Sequence, residues 1–140
     1  MIQQTSFGTL PDGHQVTLFT VTTKGGMEMA VMDYGCTITS LKVRDRKGNF
    51  RDVVLGFDHL EGYLLCNHYV GCVVGRYANR IRNGEFKLEG QPCTVTVNHP
   101  PHHLHGGRNG FDKKVWSSRP IVTTEGEGIS FSYTSPDGEE

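Results

Sequence analysis

Apolar and polar residues alternate along much of the chain with a period of two, the spacing of strands with one covered face. His14 to Thr23 is rich in Val, Thr, Leu and Phe and is broken at Lys24-Gly25-Gly26. Met27, Met29 and Val31 then alternate with Glu28 and Ala30, and Ile38, Leu41 and Val43 continue the same habit. Asp45-Arg46-Lys47-Gly48 has the chemistry of a turn and predicts that the chain reverses towards Val53-Val54-Leu55. A second hairpin is expected where Phe86-Lys87-Leu88 and Cys93 to Val97 flank Glu89-Gly90-Gln91-Pro92. A third is expected where Ile121-Val122-Thr123 and Ile129 to Tyr133 flank a Glu-Gly-Glu-Gly tip. No sustained helical stripe occurs, and Asp58 to Leu65 is long enough for one short helical turn at most. Short strands with frequent turns, and 18 glycines, predict an all-β fold of antiparallel strands, a sandwich or a barrel.

Composition narrows the function classes. The 140 residues carry 14 Lys+Arg against 15 Asp+Glu, without a basic stripe for nucleic acid or an acidic tail for a basic partner. The polar start, MIQQTSFGTLPDG, carries neither a secretory signal nor a membrane span. Cys36, Cys66, Cys72 and Cys93 form no C-x-x-C pair, so they read as thiols of a reducing compartment, and a cytoplasmic location is expected. His99, His102, His103 and His105 make a histidine-rich stretch. In an extended segment His103 and His105 would share a face with His102 turned away. No Cys or carboxylate stands at a familiar ligand spacing beside them, so no metal or other cofactor is expected.

Three segments are more specific than the pattern around them. They are Asp52-Val53-Val54-Leu55-Gly56-Phe57 followed by Leu60-Glu61-Gly62-Tyr63, then Gly75-Arg76-Tyr77-Ala78-Asn79-Arg80-Ile81, then Leu104-His105-Gly106-Gly107 followed by Gly110-Phe111-Asp112-Lys113 and Val115-Trp116. In this order, with Tyr34-Gly35-Cys36-Thr37-Ile38 before them and Ser135-Pro136-Asp137-Gly138-Glu139-Glu140 after, they resemble the galactose mutarotase (aldose 1-epimerase) family. Family members are longer. The resemblance therefore implies that residues 1–140 are the N-terminal part of a single galactose mutarotase-like β-sandwich domain, with the sandwich incomplete.

The activity so implied is an isomerase's: interconversion of the α and β anomers of aldohexoses such as galactose and glucose. It needs a base at the C1 hydroxyl and an acid at the ring oxygen. By the resemblance, the family's base Glu and acid His both lie beyond Glu140, so no catalytic residue is assigned in this chain. What it retains is the substrate-binding set. Asn79 and Arg80 match the family's sugar-contacting pair, His105 its HGG histidine, and Asn98 a nearby position. Arg80 has fixed N–H donors for hydroxyls, Asn79 both donates and accepts, and the glycines after His105 would let backbone approach a ligand. By residue type alone, Arg80 reads as a surface charge, His105 as structural and Asn79 as a turn residue. Structural roles are expected for Asp52 and Asp112, and core positions for Phe111 and Trp116. His102-His103 stands where the family usually carries a small polar pair. Two other readings stay open: a non-catalytic sugar-binding β-sandwich, or an interaction module whose unpaired strand edges self-associate. Hexose-6-phosphate epimerases share the fold but would require a phosphate cluster that the sequence does not offer.

Overall fold

The computed structural model describes residues 1–124 and 126–140. The Glu-Gly-Glu-Gly tip expected at 125–128 thus falls partly outside the described residues. Five strands, β1 (Ile2–Thr9), β2 (Gln15–Thr22), β3 (Glu28–Met32), β4 (Thr37–Arg44) and β5 (Phe50–Asp52), form one antiparallel sheet in chain order. Each strand pairs with its sequence neighbour, so only tight turns are needed to build the sheet. Asp45 makes one of them: its carboxylate Oδ1 accepts from the N–H groups of Lys47 and Asn49, at 2.8 and 2.9 Å. β5 ends before the expected Val53-Val54-Leu55 run. The Oδ1 of Asp52 accepts from Leu41 N–H and Val54 N–H, both at 3.0 Å, which turns the backbone out of the ladder.

The period of two in β2 decides what covers the sheet. Val16 and Leu18 face one way, where Leu18 stands opposite Met32 of β3, and these join Leu10 and Leu60 in the buried core. Leu60 opens α1 (Leu60–Leu65), the single short helix expected from the sequence. Phe19 and its cross-strand partner Val31 face the other way and are also buried. Phe19 meets Phe131 edge to face, with ring centroids 5.7 Å apart. Phe131 belongs to β11 (Gly126–Ser132), which pairs antiparallel with β10 (Ser117–Thr123) as a separate two-stranded ribbon. The sheet is thus partly covered on both faces, by α1 and by this ribbon, and the all-β antiparallel expectation holds.

Two further ribbons complete the fold: β6 (Arg80–Ile81) with β9 (His103–Leu104), and β7 (Glu85–Leu88) with β8 (Gln91–Thr94). The hairpin between β7 and β8 is tighter than its composition suggests. Glu89 and Gly90 both have positive φ, 50° and 82°, the requirement of a two-residue turn whose twist matches its strands. Gln91 and Pro92 therefore pair with Leu88 and Lys87 instead of making the turn. The link between the sheet and the later ribbons is the turn after β3. Gly35 N–H donates to Lys114 C=O, its carbonyl accepts from Val73 N–H, and Tyr34 bridges to Val115. A side chain at Gly35, where φ is 66°, would run into the carbonyl of Asp112.

The solvent-accessible surface is 9523 Å², against roughly 7,200 Å² for a compact monomer of this mass. Leu55, Val122 and Leu65 are 84, 82 and 75% exposed, although the sheet core is tight. Met32 is fully buried at the centre of that core. Met32→Ala should therefore lower unfolding free energy by about 2–5 kcal/mol, read from urea denaturation followed by circular dichroism. A change below about 1 kcal/mol would show that the core does not close on this residue.

Candidate functional site

The site is built by the shortest ribbon. In β6–β9, Arg80 pairs with Leu104 and Ile81 with His103. Antiparallel pairing sets Asn79, just before β6, across from His105, just after β9. Both residues leave the ladder in the left-handed region, with φ of 69° and 51°. Their contact is reciprocal. His105 N–H donates to Asn79 C=O at 2.9 Å, and Asn79 N–H donates to Nδ1 of His105 at 3.0 Å. Arg80 Nη1 donates to Asn79 Oδ1 at 3.2 Å. Asn79 and Arg80 are exposed and His105 is half-buried, so three of the four expected residues form one accessible polar cluster. Burial and the neighbouring Arg80 charge hold the His105 imidazole below the ordinary histidine range, while Asp112 pulls the other way.

Asn98, the fourth, does different work. Its Nδ2 donates to the carbonyls of Leu104 (2.8 Å) and Gly107 (3.2 Å) and to the Tyr69 hydroxyl (3.3 Å), while its Oδ1 accepts from Leu104 N–H at 2.7 Å. The amide bonds Leu104 and Gly107, on the two sides of His105, and so holds the turn. Tyr69, which sequence reasoning did not single out, lays its ring against the His105 imidazole with centroids 4.7 Å apart. Its only sequence-level signal is an aromatic a few residues before the Gly75-to-Ile81 segment. A cavity of about 380 Å³ opens beside this turn, lined among others by Tyr34, Tyr69, Asn98, Asp112 and Lys113. Asn79, Arg80 and His105 do not line it.

Gly106 and Gly107 serve the protein's own packing. A Cβ at Gly106 would strike the Gly75 carbonyl, and one at Gly107 would strike the Glu140 carboxylate and the Thr96 hydroxyl. The close approach expected of a ligand is made by these groups. Two more histidines of the stretch turn to backbone: Nδ1 of His102 accepts from Asn83 N–H, and fully buried His103 bonds the Thr96 carbonyl through Nδ1. The alternation that would give His103 and His105 one face stops at Leu104, because His105 is left-handed. Phe111, Trp116 and Tyr133 pack on one another, with centroids 5.6 to 5.8 Å apart, but all three are half-buried, so Phe111 and Trp116 form a satellite cluster outside the core expected for them. Asp112 binds Lys113 Nζ through one oxygen at 2.7 Å, and its other oxygen is buried with no partner among the described residues. The four cysteines are free thiols, and burial pushes Cys72 up to about 11.

Arg76 is a second residue missed by sequence reasoning, although it stands inside a specific segment. It donates through Nε to Ser135 Oγ at 2.8 Å and through Nη2 to the Pro136 carbonyl. Ser135 to Glu140 thereby closes over the glycine turn. Glu140 accepts from Thr96 N–H (2.7 Å) and Thr96 Oγ1, and Glu139 accepts from Lys114 Nζ (2.5 Å), Tyr133 Oη and Ser135 Oγ.

Comparison with known proteins agrees with this architecture. Residues 17–140 match the family model described as aldose 1-epimerase. The chain is 46% identical over 134 residues to the galactose mutarotase of Bos taurus, covering 96% of this chain and 38% of that protein. It is 34% identical over 130 residues to the aldose 1-epimerase of Escherichia coli K12, covering 93% of this chain and 37% of that one. The crystal structure of galactose 1-epimerase from Lactobacillus acidophilus superposes with a TM-score of 0.82 at 25% identity, over 99% of this chain and 40% of that chain. The GalM/aldose epimerase homologue from C. elegans gives 0.76 at 32% identity, over 87% and 37%. The antiparallel sheets are those of a galactose epimerase-type fold. The chain belongs to the aldose 1-epimerase family. It spans about two-fifths of the length of the relatives it matches, at their N-terminal portion.

The Ser135–Glu140 closure carries a pH dependence. Burial alone would raise the Glu139 carboxyl, but hydrogen bonds from Lys114, Ser135 and Tyr133 outweigh it and hold the group at about 2, below its usual 4.5. A depressed carboxyl contributes stability above its unfolded pKa and loses it as pH falls through the folded one. Urea midpoints should therefore drop between about pH 4.5 and pH 2, and Glu139→Gln should flatten that part of the profile. An unchanged slope in the variant would remove Glu139 as its source.

Proposed function

We propose that this chain supplies the sugar-binding side of an aldose 1-epimerase site, for aldohexoses such as galactose or glucose. The observation that carries the reading is the β6–β9 ribbon, which brings Asn79 and His105 together across 26 positions of sequence with Arg80 beside them. Arg80 keeps most of its guanidinium donors for hydroxyls or the ring oxygen, since one nitrogen alone meets Asn79. Its charge favours negative charge developing on an opened sugar. Asn79 Oδ1 receives Arg80, which leaves its Nδ2 as a donor to a ligand. Asn98 acts behind this surface by fixing the turn that carries His105. No metal or cofactor enters this reading. The unpaired thiols fit a reducing compartment, and the cytoplasm is the location that supports.

The acid and base that the family resemblance implies have no match among these 140 residues, so binding and proton transfer separate. The chain alone should leave the optical rotation of fresh α-galactose or α-glucose decaying at the buffer rate. A chimera that joins it to the remaining C-terminal portion of the cattle relative should accelerate that decay. Within the chimera, Arg80→Ala or His105→Ala should lower kcat/KM by roughly a hundred- to a thousandfold. Parent-like kinetics in both variants would move the site elsewhere.

The exposed apolar surface favours an accompanying property. Leu55, Val122 and Leu88 stand open at 84, 82 and 63% exposure, and β10–β11 and β7–β8 are ribbons of two strands with outer edges unpaired in the sheet order. Unpaired edges and apolar patches are templates for association. The chain at micromolar concentration should run as dimers or larger species in size-exclusion chromatography with light scattering, and should bind a hydrophobic dye. A monodisperse monomer that excludes the dye would overturn this part of the reading.

A further inference from the structure

His105 sits in a contact that dictates where its proton is. A backbone N–H has only a hydrogen to offer, and Asn79 N–H is directed at Nδ1 of His105 at 3.0 Å. Nδ1 must therefore present its lone pair. Turning the ring over would set a carbon against the same N–H and take away its acceptor. The ring is also held mechanically. Tyr69 packs on it at 4.7 Å, and the Tyr69 hydroxyl is bound by the Asn98 amide that brackets the residues on either side of His105. Among the described residues Nε2 makes no hydrogen bond, so the ring's other nitrogen is uncommitted.

We infer that the Asn79 peptide fixes His105 as a neutral imidazole protonated at Nε2, so that this residue meets its ligand solely as a hydrogen-bond donor. The ring then has no lone pair left for a substrate proton, and His105 is a binding residue that cannot act as the base. Its partner on the ligand is an acceptor, a ring or hydroxyl oxygen; an ammonium or other group that can only donate is refused. Asn79 and Tyr69 are positioning residues in this arrangement: the first through its peptide, the second through its ring. Protonating Nδ1 would set two hydrogens against each other across the Asn79 contact. The charged groups around the ring act in the same sense on balance. Arg80 disfavours the imidazolium and burial adds to it, Asp112 opposes, and Lys113 lies over the Tyr69 ring 5.5 Å from its centre. The statement about the ligand rests on the sugar-binding reading; the tautomer does not.

The test is long-range ¹H–¹⁵N correlation of the imidazole in the uniformly ¹⁵N-labelled chain without sugar, with His105 assigned by the loss of its signals in His105→Gln. The expected result is an unprotonated-type shift at Nδ1 and a protonated-type shift at Nε2, with a titration midpoint below the ordinary value of 6.5. Asn79→Gly keeps the peptide N–H and tolerates the left-handed backbone, so it should keep the same tautomer although the side chain is gone. A proton on Nδ1, or a rapidly averaged mixture of tautomers, overturns the inference. A tautomer that switches in Asn79→Gly also overturns it, since the peptide would then not be the cause. A fixed Nε2–H tautomer in a chain whose signals galactose does not move would leave the inference standing and sink the sugar reading instead.

Discussion

The side-chain amide of Asn98 is the constraint on which the candidate site depends. β6 and β9 pair through only two residues each, far too few to persist as a free ribbon. The amide substitutes for the missing ladder: it accepts from Leu104 N–H and donates to the carbonyls of Leu104 and Gly107. A half-buried amide with this many partners rigidifies what it binds, because releasing any of them leaves a polar group short of a bond. His105 lies between the two residues so held, and Tyr69, bound to the same amide, closes on its ring. The cluster that faces solvent is therefore ordered from behind, by the residue that holds its turn.

That division of labour explains what could be read in the sequence and what could not. The composition and alternation of β2 and β3 identified the strands, but the single covered face expected of them is not observed. Val16 and Phe19 bury on opposite sides of one sheet, and Ala30, Val31 and Met32 are buried in succession, because α1 packs on one face and the β10–β11 ribbon on the other. The Asp45 turn and the brevity of α1 were legible because each depends on residues close in sequence. Segment ends were less so. Val53 and Leu55 have the composition of a strand, but the Asp52 carboxylate takes the local N–H groups and stops the ladder. Two-residue strands such as β6 and β9 carry no period at all. The placement of Asn79 with His105 was expected from the family segments, whereas Tyr69, Arg76 and the inward use of Gly106 and Gly107 depend on contacts distant in sequence.

The distribution of buried surface gives the chain two characters. Around Val16, Met32 and Leu60 the packing is that of a finished core. Leu55, Leu65, Leu88 and Val122 instead stand in the open, and the total surface exceeds that of a compact body of this mass. The relatives of known structure are about two and a half times longer than this chain. The candidate site lies on neither character alone. It is carried by a ribbon that is tied to the sheet through the Tyr34-Gly35 turn and closed at its rim by Ser135 to Glu140.

That rim gives the order of assembly a direction. On the ribosome, β1 to β5 can pair as they emerge, because each strand's partner precedes it by one short turn. Arg76 must wait for Ser135 and Pro136, some sixty positions later, and Thr96 must wait for Glu140. The nascent chain would thus pair its sheet and cover one face of it with α1 well before the second face meets Phe131 and the glycine turn is capped. During that interval the backbone of the glycine turn lacks the Glu140 carboxylate that later packs against Gly107.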